Sequence, residues 1–244
     1  MTRALTRSHF HRSSLIRVLC DLAVVDVVEP VGAFAEKLGQ WVDLASAITL
    51  RAVHNVSVPP AAGARAPSPA SAIGGEFHRV RAALEQSIVK SDLPRPGGPL
   101  EVASDFEPYR RYYAAHQRDM ALKVPRLQAR VRAVLAGSSQ AHQQLAALDE
   151  AFATMLSDRE DRLLAKLPAL MEVRFKHLYQ LHQQHPLDVR QTDKPELGLK
   201  PGTWLARFGH ELQTVLLAEL DVRLQPTLGL LEALIPDFDH EKTH

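Results

Sequence analysis

Cysteine occurs once in the 244-residue chain, at Cys20, so no internal disulfide is available and an oxidising compartment is not implied. Set in an apolar periodic segment, Cys20 reads as a small core residue, not a nucleophile. Glycine is sparse at 12 residues, and aromatic residues make up only 6% of the chain, both of which leave little room for a glycine-rich or aromatic-rich architecture. Strand signals are scarce too. The run Val24, Val25, Val27, Val28 is the one serious candidate, and Asp26 interrupts it. Charge of one sign is missing, with 29 basic against 28 acidic side chains, so no global field favours nucleic acid or an anionic membrane. No run approaches the roughly 18 uncharged apolar residues of a membrane-spanning helix. The best N-terminal stretch, Leu15 to Val28, carries Arg17, Asp21 and Asp26, which also argues against a signal peptide. The expectation is cytoplasmic residence with no direct membrane span.

What is abundant is Leu, Ala, Arg, Glu and Gln, the residues that lose least side-chain freedom in a helix. Residues 1–12 form a basic tail with Arg3, Arg7 and Arg12. Ser13 or Ser14 caps a helix that is expected to reach about Val28, with Leu15, Val18, Leu19, Leu22 and Val25 on one face. Glu29-Pro30 resets the chain, and Phe34, Leu38, Trp41 and Val42 form the stripe of a second helix. Asp43 caps a third, carrying Leu44, Ile48 and Val53. Residues 13–56 thus read as a small three-helix cluster. Residues 57–75, with four prolines and three glycines, read as a linker.

From 76 to 236 the apolar period is helical. Phe77, Val80, Leu84 and Ile88 mark one face; Ser91 to Ser104 reads as a loop. Ser104-Asp105-Phe106-Glu107 has capping-box form and opens a helix to about Ala136, ended by Gly137, with a kink or break expected near Lys123 because of Pro125. Leu145, Leu148, Phe152, Leu156, Leu163, Leu167, Leu170, Phe175 and Leu178 continue the pattern. A restart is expected at 157–160, where Ser157 and Glu160 repeat the capping spacing, and Pro168 is a second weak point. Residues 185–202 read as a polar loop. The last helix carries Leu205, Phe208, Leu212, Leu216, Leu220, Leu224, Leu228, Leu231 and Ile235, and Pro226 and Gly229 kink or soften it. Residues 237–244 form a polar tail. The predicted fold is all-α: a long antiparallel helical bundle, or coiled-coil-like hairpin, with a small N-terminal helical cluster. Leu217, Val222, Leu230 and Leu234 widen the last stripe, and a helix apolar over so much of its circumference wants partners on several sides. These four are the predicted partner-binding residues, for a protein partner or a second copy.

Chemistry-bearing patterns are few. His240-Glu241-Lys242-Thr243-His244 matches the zinc-protease spacing, yet it follows Pro236 in a polar tail with no third ligand. His177, His182 and His185 cluster beside a loop without a carboxylate or thiol at ligand spacing. No metal or other cofactor is expected. Tyr109-Arg110-Arg111-Tyr112-Tyr113 interleaves cations with rings, a combination that grips phosphates and stacks bases. An alternative nucleic-acid site would therefore use Arg110, Arg111, Tyr113, Arg118, Arg126 and Arg130. Against it, Phe106, Tyr109, Tyr112, Tyr113, His116 and Met120 align as a packing face, leaving the arginines as a solvated flank or as partners for the acids at 158–161. No serine elbow, phosphate loop or dinucleotide fingerprint is present, and an enzyme is not expected.

Four segments carry a resemblance: Ser14 to Leu22 (SLIRVLCDL), Phe34 to Trp41 (FAEKLGQW), Phe106 to Tyr112 (FEPYRRY) and Leu216 to Pro226 (LLAELDVRLQP). Together they resemble a proteobacterial family of proteins of unknown function and about this length, across nearly the whole chain. The family defines no catalytic residues. What the resemblance implies is a setting beside flagellar-type or energy-transducing motor subunits and OmpA-like membrane proteins. The function expected is that of a non-enzymatic helical interaction or adaptor protein, a cytoplasmic accessory of such a membrane assembly.

Overall fold

The computed structural model of the protein describes residues 13–24, 44–55, 69–94, 105–184 and 203–235. Those residues form seven helices and no strand: α1 (Ser14–Asp21), α2 (Leu44–Asn55), α3 (Pro69–Lys90), α4 (Glu107–Ala136), α5 (Gln140–Leu164), α6 (Leu167–Gln184) and α7 (Trp204–Leu234). The fold is all-α, as expected. The expected helix at 34–42 and the tails at 1–12 and 237–244 lie outside the described residues.

Side-chain pairings give the directions. Phe106 meets Phe208 and Tyr113 meets Glu219, so α4 and α7 run parallel. Tyr112 reaches Ile88, Arg130 reaches Glu76 and Arg81 reaches Asp221, which makes α3 antiparallel to both. Gln128 meets Asp149, Gln117 meets the Leu164 carbonyl and Arg110 meets Glu172, so α5 and α6 form one antiparallel return leg. The bundle is therefore a four-legged up-and-down arrangement. Its two long parallel helices pack on each other; α3 packs against both, and the α5–α6 leg packs against both. Helix α1 lies on α7 and α2 lies on α5. The N-terminal helices are thus laid on the bundle itself.

This explains why α7 is apolar on more than one side. Leu205, Phe208, Leu212, Val215, Leu216, Leu220, Leu224, Leu230 and Leu231 are all buried, facing helices from different directions. Leu15 and Leu19 of α1 close the remaining side. Where the segment after α3 crosses α7, Gly209 is buried. A Cβ there would run into the Leu93 side chain, which would have to shift to admit it.

Several local expectations are corrected. α1 stops at Asp21, because Leu22 caps it and Ala23 turns left-handed at φ 52°. Helix α3 begins at Pro69, taking in the last third of the segment read as a linker; proline suits a helix's first turn, where its missing N–H has no partner anyway. The Glu107 amide is held by the Asp105 carboxylate, 2.9 Å away. Of the kink or break expected near Lys123, the break does not occur: α4 is continuous through Pro125, and α7 through Pro226, both prolines being exposed. No restart occurs at 157–160: α5 is continuous there, its charged patch being largely solvated. The break falls at Ala165–Lys166, with Pro168 in the first turn of α6. Gly137 does cap α4, and the Thr203 hydroxyl accepts the Ala206 amide to start α7.

Leu216, without exposed surface, and Leu122, at 58%, provide a calibrated pair. Leu216→Ala should cost about 2–5 kcal/mol and Leu122→Ala no more than ~0.5 kcal/mol in urea unfolding. Equal effects would contradict this packing.

Candidate functional site

A carboxyl group sits inside the seam between the parallel helices. Glu219 of α7 has no exposed surface. The Tyr113 hydroxyl donates to its Oε2 at 2.8 Å, and the Gln117 amide donates to both oxygens at 3.1 Å. One turn on, the Arg223 guanidinium donates to Oε1 at 2.9 Å. Gln117 also donates to the carbonyl of Leu164, the last residue of α5, at 3.0 Å, so the same side chain ties the return leg at its break. Burial and the adjoining Glu219 carboxylate push the Tyr113 phenol well above its usual range, so it donates and does not ionise. Glu160 lies nearby. Burial raises its pKa; Arg223 opposes this, and Asp161 and Glu219 reinforce it.

A second polar cluster lies toward the other end of α7. Arg174 of α6 grips Glu211 with two parallel bonds of 2.8 and 2.7 Å, and Arg207 adds a third at 2.9 Å. Burial alone would raise Glu211, but these two guanidinium groups outweigh it and hold the carboxyl below its usual value. Beside the Arg174–Glu211 cluster, Phe106, Tyr109, Phe175 and Phe208 pack ring against ring at centroid distances of 5.0 to 6.4 Å, with Trp204 against Phe175. The Tyr109 hydroxyl is buried there with no hydrogen-bond partner among the described residues.

The residues expected to bind a partner are placed as follows. Leu230 is buried in the intramolecular core, and Leu217, Val222 and Leu234 are half-buried against it. Much of the wide stripe of α7 packs inside the molecule, principally on α1, α3 and α4, while Leu217, Val222 and Leu234 keep part of their surface exposed. Large apolar side chains do stand in solvent elsewhere, including Leu122, Leu163, Val173 and Leu181. Of the alternative nucleic-acid set, Tyr113 is enclosed and cannot stack on a base. Arg110 pairs with Glu107 and Glu172, Arg111 with Glu107, and Arg130 with Glu76. Among the described residues, Arg118 and Arg126 have no ion-pair partner. The acids at 158–161 do not receive the α4 arginines; Asp161 faces Arg223 instead, at 3.9 Å. The aromatic packing face is as expected, save that Tyr112 is half-buried.

Of the metal candidates, His182 stacks on Trp204 and His177 sits 3.4 Å from Arg174, while His185 and the 240–244 string lie outside the described residues. No group of three or more ligating side chains capable of holding a metal occurs among the described residues. Cys20 is half-buried, not a core residue. A shallow hollow of about 400 Å³ lies between α3 and α4, lined by Glu76, Arg79, Val80, Ala83, Lys123 and Arg130. The Glu219 seam was missed because glutamate in a helix normally reads as a solvated position. Its one signal is that Glu219 interrupts the run Leu216 to Leu224 exactly where apolar residues surround it.

The molecule is thus an all-α bundle protein whose long parallel pair is keyed by buried polar groups. It belongs to the family described as "Protein of unknown function (DUF3348)", whose model matches residues 1–235. No curated protein and no solved structure matches the chain.

Two measurements follow from the clusters. Glu219→Ala should destabilise by about 3–5 kcal/mol, since it strands Arg223, whose side chain is 11% exposed, and Tyr113→Phe by about 1 kcal/mol. Equal, negligible losses would show that the seam is not keyed. Because the folded pKa of Glu211 is depressed, its contribution is present above the unfolded carboxyl value and lost as pH falls through the folded one. The stability gap between wild type and Glu211→Gln should therefore shrink as pH is lowered from about 6 to about 3; a gap that widened would contradict the sign.

Proposed function

We propose that this is a non-enzymatic helical interaction protein, an adaptor or accessory that works by presenting helix faces to another polypeptide. One observation carries this reading. Large apolar side chains remain in solvent on the outer helices although the bundle core is complete: Val173 is 60% exposed and Leu181 39% exposed on α6, with Leu163 at 54% near the end of α5. Scattered single apolar residues need no explanation, but three exposed along one outer leg favour contact with a further protein surface. The contact set is accordingly moved from Leu217, Val222, Leu230 and Leu234 to the α5–α6 leg. Self-association of the chain is part of the same proposal.

The resemblance to proteins found beside motor-like and OmpA-like membrane proteins supports a cytoplasmic accessory of a membrane assembly. No helix among the described residues is long and apolar enough to cross a membrane, so this accessory role is carried by protein contacts. The alternative, nucleic-acid binding through α4, is weakened because its stacking ring is Tyr113, inside the core, and most of its arginines already face carboxylates.

Light scattering on the purified chain and affinity capture with mass spectrometry test the reading together. The expected result is an oligomer or a specific protein partner that is lost in the double variant Val173→Glu, Leu181→Glu, while circular dichroism is unchanged. A strictly monomeric chain that captures no specific partner overturns it.

A further inference from the structure

The hollow between α3 and α4 has a lining chemistry that the bundle does not use. Three cations, Arg79, Lys123 and Arg130, surround it with one carboxylate, Glu76, and its apolar patch is Val80 and Ala83. Lys123 and Arg130 are seven residues apart on α4, two helical turns or about 10.5 Å along the axis. Arg79 faces them from α3 and has no ion-pair partner among the described residues. Arg126, exposed and also without one there, lies between the two α4 cations in sequence. The internal acids are too few to neutralise this group: Glu76 holds Arg130, and Asp119 holds Lys123 at 2.8 Å. Three lining cations against these two carboxylates leave a local excess of one, at Arg79, with Arg126 exposed close by in sequence on α4.

We infer that the α3–α4 groove is a docking site for an acidic, amphipathic segment of a partner protein. It rests on the interaction reading above and names the chemistry of one partner. Carboxylates of the segment lie against Arg79, Lys123 and Arg130, and an apolar side chain sits over Val80 and Ala83, where alanine leaves room. The apolar floor distinguishes this occupant from nucleic acid, whose phosphate backbone has no use for it; no lining residue is aromatic to stack a base. Glu76 occupies part of the same cationic field, with its side chain 17% exposed while that of Arg130 is 67% exposed. It acts as an internal competitor for the incoming carboxylates.

The test uses the full chain and a fluorescein-labelled 15-residue helical peptide bearing glutamates at two-turn spacing around a central leucine, followed by anisotropy. Binding is expected to weaken with added salt. It should fall about tenfold in the double variant Arg79→Glu, Lys123→Glu, where attraction becomes repulsion. Ala83→Trp, which fills the floor without changing charge, should also weaken it, and Glu76→Gln should tighten it. Reversal of Arg162 and Lys166 on the return leg should leave it unchanged. Circular dichroism confirms that each variant is folded. Two results overturn the proposal: no binding of the peptide, or binding matched by single-stranded DNA of equal charge and unaffected by Ala83→Trp, the mark of a generic polyanion surface. Oligomerisation or partner capture that persists while the peptide fails to bind removes the groove and leaves the interaction reading standing. Loss of both removes the two together.

Discussion

A carboxylate with no access to water must find its donors inside the protein, and the placement of Glu219 governs how the two longest helices meet. Three donors from two helices converge on it: the Tyr113 hydroxyl, the Gln117 amide and the Arg223 guanidinium. Sliding α7 along α4 by one turn, about 5.4 Å, would carry the carboxylate away from Tyr113 and Gln117. Leucine contacts are nearly indifferent to such a slip, because another leucine arrives a turn later. The polar seam is not indifferent, since a buried group left without partners costs several kcal/mol. Directional bonds therefore select one register from several that hydrophobic burial would accept.

The other elements are arranged around that pair. Gln117 extends the seam to the end of α5 by holding the Leu164 carbonyl, which the helix break leaves without an intrahelical donor. Arg174 and Glu211 fasten α6 to the first half of α7, and the ring cluster of Phe106, Tyr109, Phe175 and Phe208 fills the space beside them. On the opposite side α3 is attached by Gln213 to the Ile88 carbonyl and by Arg81 to Asp221. Helix α7 is consequently enclosed by five neighbours. Its apolar breadth is a requirement of the interior.

That last point shows what could and could not be read from the residues. Helix positions were legible, because leucines at steps of three and four admit no other regular structure, and Gly137 and Thr203 ended and began helices as their chemistry dictates. Which helix occupied the centre was not. A broad apolar face looks the same whether a neighbouring helix of the same chain or a separate protein covers it, and only the three-dimensional arrangement decides between them. Pro125 and Pro226 sit at exposed positions inside continuous helices, and Pro69 opens α3 within the segment that reads as a linker. The Tyr109 to Tyr113 segment was legible as a packing face from its spacing. The engagement of Arg110, Arg111 and Arg130 with carboxylates 3 to 62 residues away was legible only for the local Glu107 pairs.

The two members of the central pair are separated in the chain by the whole α5–α6 leg. On the ribosome α4 emerges well before α7, and with it Met120, Val124, Leu127, Val131 and Leu135, all of which are buried in the finished bundle. Until α7 arrives, that surface is covered only in part, by α3 and the returning leg. An α4 without α7 leaves a long apolar flank uncovered, a surface prone to misassociation until the last helix closes over it.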